Sequence, residues 1–586
     1  MCAGVATSWA LGQPVAQAGR QPYGPGPQHP RAGRPGLASV LTGGSFGNQV
    51  VRLGALPGDR DLVVTLGLRQ RNELLLARLL GQGRAVQALR YSQDFGPGPA
   101  SVHAAERVLG SYGLRAAWAP GDAVMEVSGR ASALERVFSV ALSRYRVRVG
   151  RERGRVFYAP AAQPRLASPL RGLVTSVLGL DDYPVGRAPV ALGATAAGRD
   201  SSSSPQSAGG YTPSQVAGLY HFGPLYQGGL DGAGQTVVFL EIDAYQAADI
   251  VSYSNAFGLP APVMTGPVLD PAWGSPQPAT ASTEPTEATL DLEVVHALAP
   301  RAHLVVYESA ATSAGMVAAL QAAVSAYPHA VFSYSLADVA CGPGLVGEDP
   351  ADAQQFSAVL EQLVSHGGTF LASSGDSGAY SCLDSGTSVA GKPGTQVPAD
   401  SPYATAVGGT TAFLGAGSTY GQEAAWGDPV EEAGGGGGLS AIFARPSWQA
   451  GPGVLNQFSN GHRQVPDVSA LADTNTGWDI YSSLSDPQWV PVGGTSAAAP
   501  LWAALVALAD QALAERGLPS VGFANPALYD FGANPGRFPA PAFHDVRLGN
   551  NLYYPAAPGW DFATGWGSPD ASALVDDLIA YQRGTR

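Results

Sequence analysis

The sequence predicts a two-part α/β protein, in which a doubly wound, mainly parallel sheet is preceded by a small α+β domain. Three observations predict it. At 586 residues the chain exceeds one ordinary domain. From Gln235 onward, buried-strand patterns alternate with helical ones, the mark of a parallel sheet covered on both faces. A stretch too poor in apolar residues to order itself, "ATAAGRDSSSSPQSAGG" (194–210), separates that region from the patterned text before it.

Taken in order, residues 1–58 are rich in Gly, Pro and Gln and read as a flexible N-terminal extension. Their first twenty hold an Ala-Gln-Ala resembling a signal cleavage site, without a basic n-region or a solid apolar stretch. Residues 59–190 form the α+β domain. "DLVVTLGLRQ" reads as a strand, "RNELLLARLLGQ" as a helix and "DAVMEVSG" as a strand. "SALERVFSVALSRYRV" is a helix running into a strand, with Ser132 and Glu135 spaced as a capping box. Residues 191–210 are the linker, and 211–586 the second domain. There "QTVVFLEI", "HLVVYES", "AVFSYS" and "GTFLASSGDSG" read as strands, with "SAGMVAALQAAVSAY" and "QQFSAVLEQLVSHG" as helices between them. Ligands of such sheets bind at the carboxyl ends of the strands.

Charge divides along the same line. Residues 1–210 carry 24 Lys+Arg against 12 Asp+Glu, and residues 211–586 carry 9 against 34. The arginines are scattered through patterned segments, which argues against nucleic-acid binding and for two halves that face each other. No apolar run reads as a membrane span. Cys2, Cys341 and Cys382 lack metal-ligand spacing; the last two are either bridged, in a secreted protein, or buried thiols.

"PVGGTSAAAPLWAALVALADQAL" (491–513) sets a hydroxyl, Ser496, at the start of an apolar helix with Pro500 in its first turn. A serine there sits in the field of the helix N-terminus, beside N–H groups able to hold an oxyanion. Such a nucleophile requires a base. None of the candidate histidines suits: His366 ends a helix before a strand, His296 lies within a short apolar helix, and His462 and His544 sit in loops without an orienting carboxylate. "STEPTEATLDLEVVHALAP" (282–300) offers another base. Pro285 starts a helix that carries Glu287 and Asp291 at i, i+4, about 40° apart around its axis. The apolar residues that follow bury this helix, and two buried neighbouring acids share a proton, leaving one as base.

These motifs together resemble one family. Glu-x-x-Leu-Asp-x-Glu with Ala-Leu-Ala-Pro, then Ser-Ser-Gly-Asp-Ser-Gly, then Gly-Gly-Thr-Ser-Ala-x-x-Pro occur here in the order found in the sedolisins, the serine-carboxyl peptidases. "YTPSQVAGLYHF", "SPYATAVGGT", "GGGLSAIFARPSWQ" and "PDVSALAD" extend the likeness over nearly the whole chain past residue 60. The resemblance implies a subtilisin-like catalytic domain behind a ferredoxin-like activation prodomain. It implies Ser496 as nucleophile, Glu287 as general base, Asp291 as its support and Asp376 as the oxyanion-hole side chain. One calcium ion per catalytic domain is implied at the side chains of Asp545 and Asp561 and the backbone oxygens of Val546, Ala557 and Gly559. Two carboxylates among irregular carbonyls suit that hard cation. "SYSLADVACG" departs from the family's aromatic pattern near Leu336.

The expected protein is a secreted, monomeric acid endopeptidase made as a zymogen, its prodomain an intramolecular inhibitor and its substrates proteins or peptides. Nucleic acid and membrane are not expected partners. Tripeptidyl aminopeptidase activity and a silent binding role are the alternatives. A carboxylate base titrates about two pH units below histidine, so turnover belongs near pH 3–5. Acid is expected to discharge carboxylates between the basic prodomain and the acidic catalytic domain, releasing the prodomain.

Overall fold

The computed structural model describes residues 37–38, 40–149, 153–167, 170–184, 191–192, 209–280, 287–336, 349–380 and 393–584. Leu37–Arg586 is one compact unit. Its front part holds β1 (Val50–Ala55), β2 (Asp61–Leu68), α1 (Glu73–Leu80), α2 (Ala88–Arg90), α3 (Pro99–Ser111), β3 (Arg115–Ala117) and β4 (Val124–Arg130). It continues through α4 (Ala131–Phe138), β5 (Leu142–Val147), β6 (Val156–Pro160) and β7 (Val174–Leu178). Two antiparallel sheets result, ordered β3-β4-β2-β7 and β1-β5-β6. The expected extension over residues 1–58 is too long: β1 pairs with β5, and Ala38, Val40 and Phe46 are buried. The Ser132/Glu135 capping box is also absent. The helix begins one residue earlier, at Ala131, and Glu135 accepts the N–H of Leu142 instead (2.8 Å). A capping box does form at Thr212 and Gln215.

The second part opens with α5 (Pro213–Leu219), α6 (Gly223–Gln227), β9 (Thr236–Glu241), α7 (Ala247–Phe257) and β10 (Val263–Val268), after the short linker strand β8 (Ala191–Leu192). Next come α8 (Glu287–Leu298), β11 (His303–Glu308), α9 (Ser313–Ala326), β12 (Val331–Tyr334), α10 (Pro350–His366) and β13 (Thr369–Ser373). Strands β14 (Thr405–Leu414) and β15 (Tyr420–Ala425) lead to two hairpins, β16 (Gly427–Asp428) with β17 (Ala433–Gly434), and β18 (Gly438–Ala444) with β19 (His462–Val465). Then follow β20 (Val468–Leu471), β21 (Trp478–Tyr481), β22 (Trp489–Gly493) and α11 (Thr495–Glu515). The central sheet runs β10-β11-β9-β12-β13-β14-β15, with β20 added on β14, and is parallel except for β14–β15. Helices α8 and α11 belong to one apolar cluster and α9 and α10 to the other, so each face of the sheet is covered, as the alternating pattern required.

Helix α11 is long and apolar enough to cross a membrane by length and composition, contrary to the reading that no segment is. It is buried along nearly its whole length because it is the central core helix of this domain.

The front domain lays its four-stranded sheet on α9 and α10. Gln321 and Gln362 accept the N–H of Ala123 (3.0 and 3.1 Å), and Gln355 donates to the carbonyl of Thr65 (3.0 Å). Apolar packing at one edge joins Leu76, Leu80, Val86, Tyr91 and Phe95 to Val364 and Phe523. Among the described residues no ion pair crosses this interface, although the opposite charges of the two halves suggested several.

Candidate active site

Four elements of the catalytic domain bring the predicted side chains together at the carboxyl edge of the sheet. Ser496 is the second residue of α11, reached from β22 through Gly493 and Gly494. Gly494 has φ +104°, and a Cβ there would lie 2.6 Å from Oδ2 of Asp376, so only glycine fits. Asp376 follows β13 by three residues. Its Oδ1 accepts from the backbone N–H of Thr495 (2.7 Å) and from the Thr495 hydroxyl (2.8 Å), while Oδ2 has no partner. Burial pushes this carboxyl up to about 6, against the downward pull of both Thr495 hydrogen bonds.

Glu287 is the first residue of α8 and only 2 % exposed, and Asp291, one turn on, is fully buried. Burial and then the neighbouring Asp291 raise Glu287 well above the ordinary glutamate range, while the Ser496 hydroxyl opposes that rise by stabilising the charged form. The two side chains thus adjoin, yet no hydrogen bond is closed between them at rest: the Ser496 hydroxyl faces the Ser335 carbonyl (3.3 Å). Catalytic hydrogen bonds commonly tighten only with substrate present. Asp291 is raised by burial and held back by Ser335, whose hydroxyl lies 2.8 and 2.7 Å from its two oxygens.

Among the described residues no histidine is hydrogen-bonded to the Ser496 hydroxyl. His296, on the same helix as Glu287, is buried and lowered to about 4 by desolvation, against the upward pull of the Pro260 backbone. His366 lies at the far end of α10, edge-on to Tyr91 with ring centroids 5.2 Å apart. Pro285 lies outside the described residues, as do Cys341 and Cys382.

Two residues escaped the sequence reading. Ser335, just past β12, connects the carboxylates to the nucleophile: its hydroxyl reaches Asp291 and lies 3.3 Å from the Ser496 carbonyl. Glu241, the last residue of β9, is 1 % exposed and stabilises the charge on Asp291. Burial, then Asp291 and Glu287, raise Glu241 strongly, so it carries a proton into this group. A glutamate ending a strand has no local signature; the signal available was its place at a strand's carboxyl end.

The proposed metal ligands converge on one turn. Ala557 N–H donates to Asp561 (2.8 Å) and Gly559 N–H to Asp545 (3.2 Å). Asp561 is 3 % exposed, and burial pushes it up to about 7 despite three backbone N–H donors. Asp545 pairs with Arg547 at the surface (2.7 Å). Among the described residues no three His, Cys, Asp or Glu side chains gather. The donor set therefore fits a hard cation only with the carbonyls of Val546, Ala557 and Gly559 added to the two carboxylates.

The fold is that of a serine-type peptidase, and the comparisons agree. A Subtilase family profile matches residues 279–521, and a pro-kumamolisin activation domain profile matches residues 48–183. The chain is 33% identical to kumamolisin of Bacillus sp. (strain MN-32) over 556 residues, 91% of this chain and 94% of that one. It is 28% identical to sedolisin of Pseudomonas sp. (strain 101) over 539 residues, 88% and 86% of the two chains. Tripeptidyl-peptidase 1 of Bos taurus is 34% identical over 244 residues, 39% of this chain and 40% of that one. The solved structure of Pseudomonas sedolisin (serine-carboxyl proteinase) complexed with two molecules of pseudo-iodotyrostatin superposes with a TM-score of 0.54 at 28% identity, covering 64% of this chain and 99% of that one. This chain belongs to the sedolisin family of serine-carboxyl peptidases and carries the family's activation domain.

Proposed function

We propose that the protein is an acid-active endopeptidase that cleaves peptide bonds through an acyl-enzyme on Ser496, with Glu287 as general base. The observation that carries this reading is the buried pair Glu287–Asp291 beside Ser496, with no imidazole at the hydroxyl among the described residues. As Oγ attacks the substrate carbonyl, Glu287 takes its proton, which leaves the Glu287–Asp291 pair doubly protonated and neutral, with Glu241 and Ser335 holding Asp291 in place. The protonated Asp376 donates from Oδ2 to the developing oxyanion. Glu287 returns its proton to the leaving amine, and water then cleaves the ester by the same relay.

The pH window follows from the sign of each shift. Asp376 donates only while protonated, so activity falls as pH rises through about 6. It falls again in acid, where the Glu287–Asp291 pair takes up its second proton. Both Ser496→Ala and Glu287→Gln are expected to lose at least about 10³-fold in kcat, since nucleophile and base act as a unit. A Glu287→Gln enzyme with unchanged kcat would refute the assignment, and an active Ser496→Ala would exclude the serine mechanism.

Similarity to kumamolisin and sedolisin over most of the chain supports endopeptidase action, whereas tripeptidyl-peptidase 1 matches 39% of it. Fragment lengths from a long protein digested at pH 4 test this: a ladder of tripeptides would overturn the endopeptidase reading. The zymogen reading draws support from β8, whose Leu192 and Ala191 pair antiparallel with Val492 and Gly493, three residues before the nucleophile. Linker backbone laid there would compete with any substrate strand that pairs with β22. Calcium, bound as set out above, would clamp the C-terminal loop and take no part in bond cleavage. An extracellular setting accords with an acid protease kept inactive by its own prodomain; recovery of the protein only inside cells would count against it.

A further inference from the structure

The carboxylate group at the site extends one step beyond the residues the mechanism uses. Asp243, two residues past the end of β9, is 2 % exposed, and its Oδ2 accepts the backbone N–H of Glu287 at 3.4 Å. Glu287 opens α8, where first-turn N–H groups have no partner within the helix. Asp243 therefore caps, from a different element, the turn that presents the general base. A bridge between Asp243 and Gln277, with Ala244 N–H bonded to Gln277 O (2.8 Å), fixes its backbone.

We propose that Asp243 is a positioning residue for catalysis: it anchors the first turn of α8 and, through its carboxyl group, sets the acidity at which Glu287 becomes a base. The proposal rests on the reading of Glu287 given above. Among the described residues, the titratable groups facing Asp243 are Glu241 at the end of β9, Glu287 on α8 and Glu308 at the end of β11. All are acids, and in each the charge of Asp243 acts to raise the proton affinity. Asp376 lies beyond this influence, its shift arising from burial and Thr495.

The test is the pH dependence of kcat for the mature enzyme with Asp243 replaced by Asn, Ser or Glu. Removing the charge lets Glu287 ionise more readily. In Asp243→Asn and Asp243→Ser the acid limb is therefore expected to move down by about half a pH unit or more. The alkaline limb, set by Asp376, stays in place, and Asp243→Glu keeps the wild-type acid limb. Serine retains an oxygen for the helix N–H, so it gives the same charge change if the asparagine variant does not fold. Acid limbs that superimpose on the wild type would overturn the proposal. So would failure of both neutral variants to fold, which makes Asp243 purely structural. The two readings fail separately: an active Glu287→Gln refutes the base, whereas an inactive Glu287→Gln with unmoved Asp243 limbs refutes only this inference.

Discussion

Asp376 keeps one oxygen open because Thr495 occupies the other, through both its N–H and its hydroxyl. Thr495 itself is held by the N–H of Gly375 (3.0 Å), so the residues flanking the nucleophile and the oxyanion donor fix each other. An asparagine could place its amide NH₂ where Oδ2 stands and donate at every pH. Asp376→Asn is thus expected to keep kcat within about tenfold and lose the alkaline limb near pH 6. Asp376→Ala should cost about 10²–10³ in kcat. Persistence of the limb in the asparagine enzyme would mean that another group sets it. Ser496 was readable as a candidate because it opens an apolar helix, and Asp376 because its short motif resembles that of the sedolisins. Ser335 was not, since its importance depends on Asp291 arriving from a helix 44 residues away.

At the scale of elements, the i, i+4 spacing of Glu287 and Asp291 guarantees a shared face wherever a helix forms. What it leaves open is which strand ends that face meets; the fold supplies Glu241 from β9 and Ser335 from β12. The capping box misread at Ser132 has the same origin. Four residues of matching sequence do not fix where a helix starts when the preceding strand β4 runs directly into it. The C-terminal turn from Asp545 to Asp561 behaves as an element of its own, closed by N–H bonds to two carboxylates. A calcium ion at a hundredfold excess over its Kd would stabilise it by about 2.7 kcal/mol. Chelation is therefore expected to lower Tm, with added calcium restoring it, and Asp561→Asn to abolish the difference. A Tm indifferent to chelator and calcium would rule the ion out.

Across the whole molecule, the interface between prodomain and catalytic domain departs from the expected discharge of carboxylates. Asp122 and Glu361, which face it, are raised by burial, Glu361 to about 7. Protonation on acidification relieves their buried charge, so they strengthen the packed state as pH falls. His366 has the opposite sign. Beside Tyr91 of the prodomain it is lowered to about 4 by burial and by His329, against an ordinary value near 6.5. Between those values the separated state binds a proton that the packed state excludes, so acid favours separation. His366→Phe keeps a ring against Tyr91 without the titration. It is expected to slow prodomain release several-fold after a drop to pH 4, while leaving Tm at pH 8 nearly unchanged. Equal release rates would remove His366 from the activation step.

The amino-acid sequence alone determined the order of domains, the alternating strands and helices of the parallel sheet, the placing of Ser496 at a helix start and the shared helical face of Glu287 and Asp291. Periodicity and short motifs are properties of neighbouring residues, and these features follow from them. Tertiary structure alone decided that Glu241, Asp243 and Ser335 surround that pair, that the N-terminal boundary precedes β1, and that the interface is hydrogen-bonded and apolar. Those depend on strand order and on burial, which set the proton affinity of each acid through contacts between residues far apart in the chain.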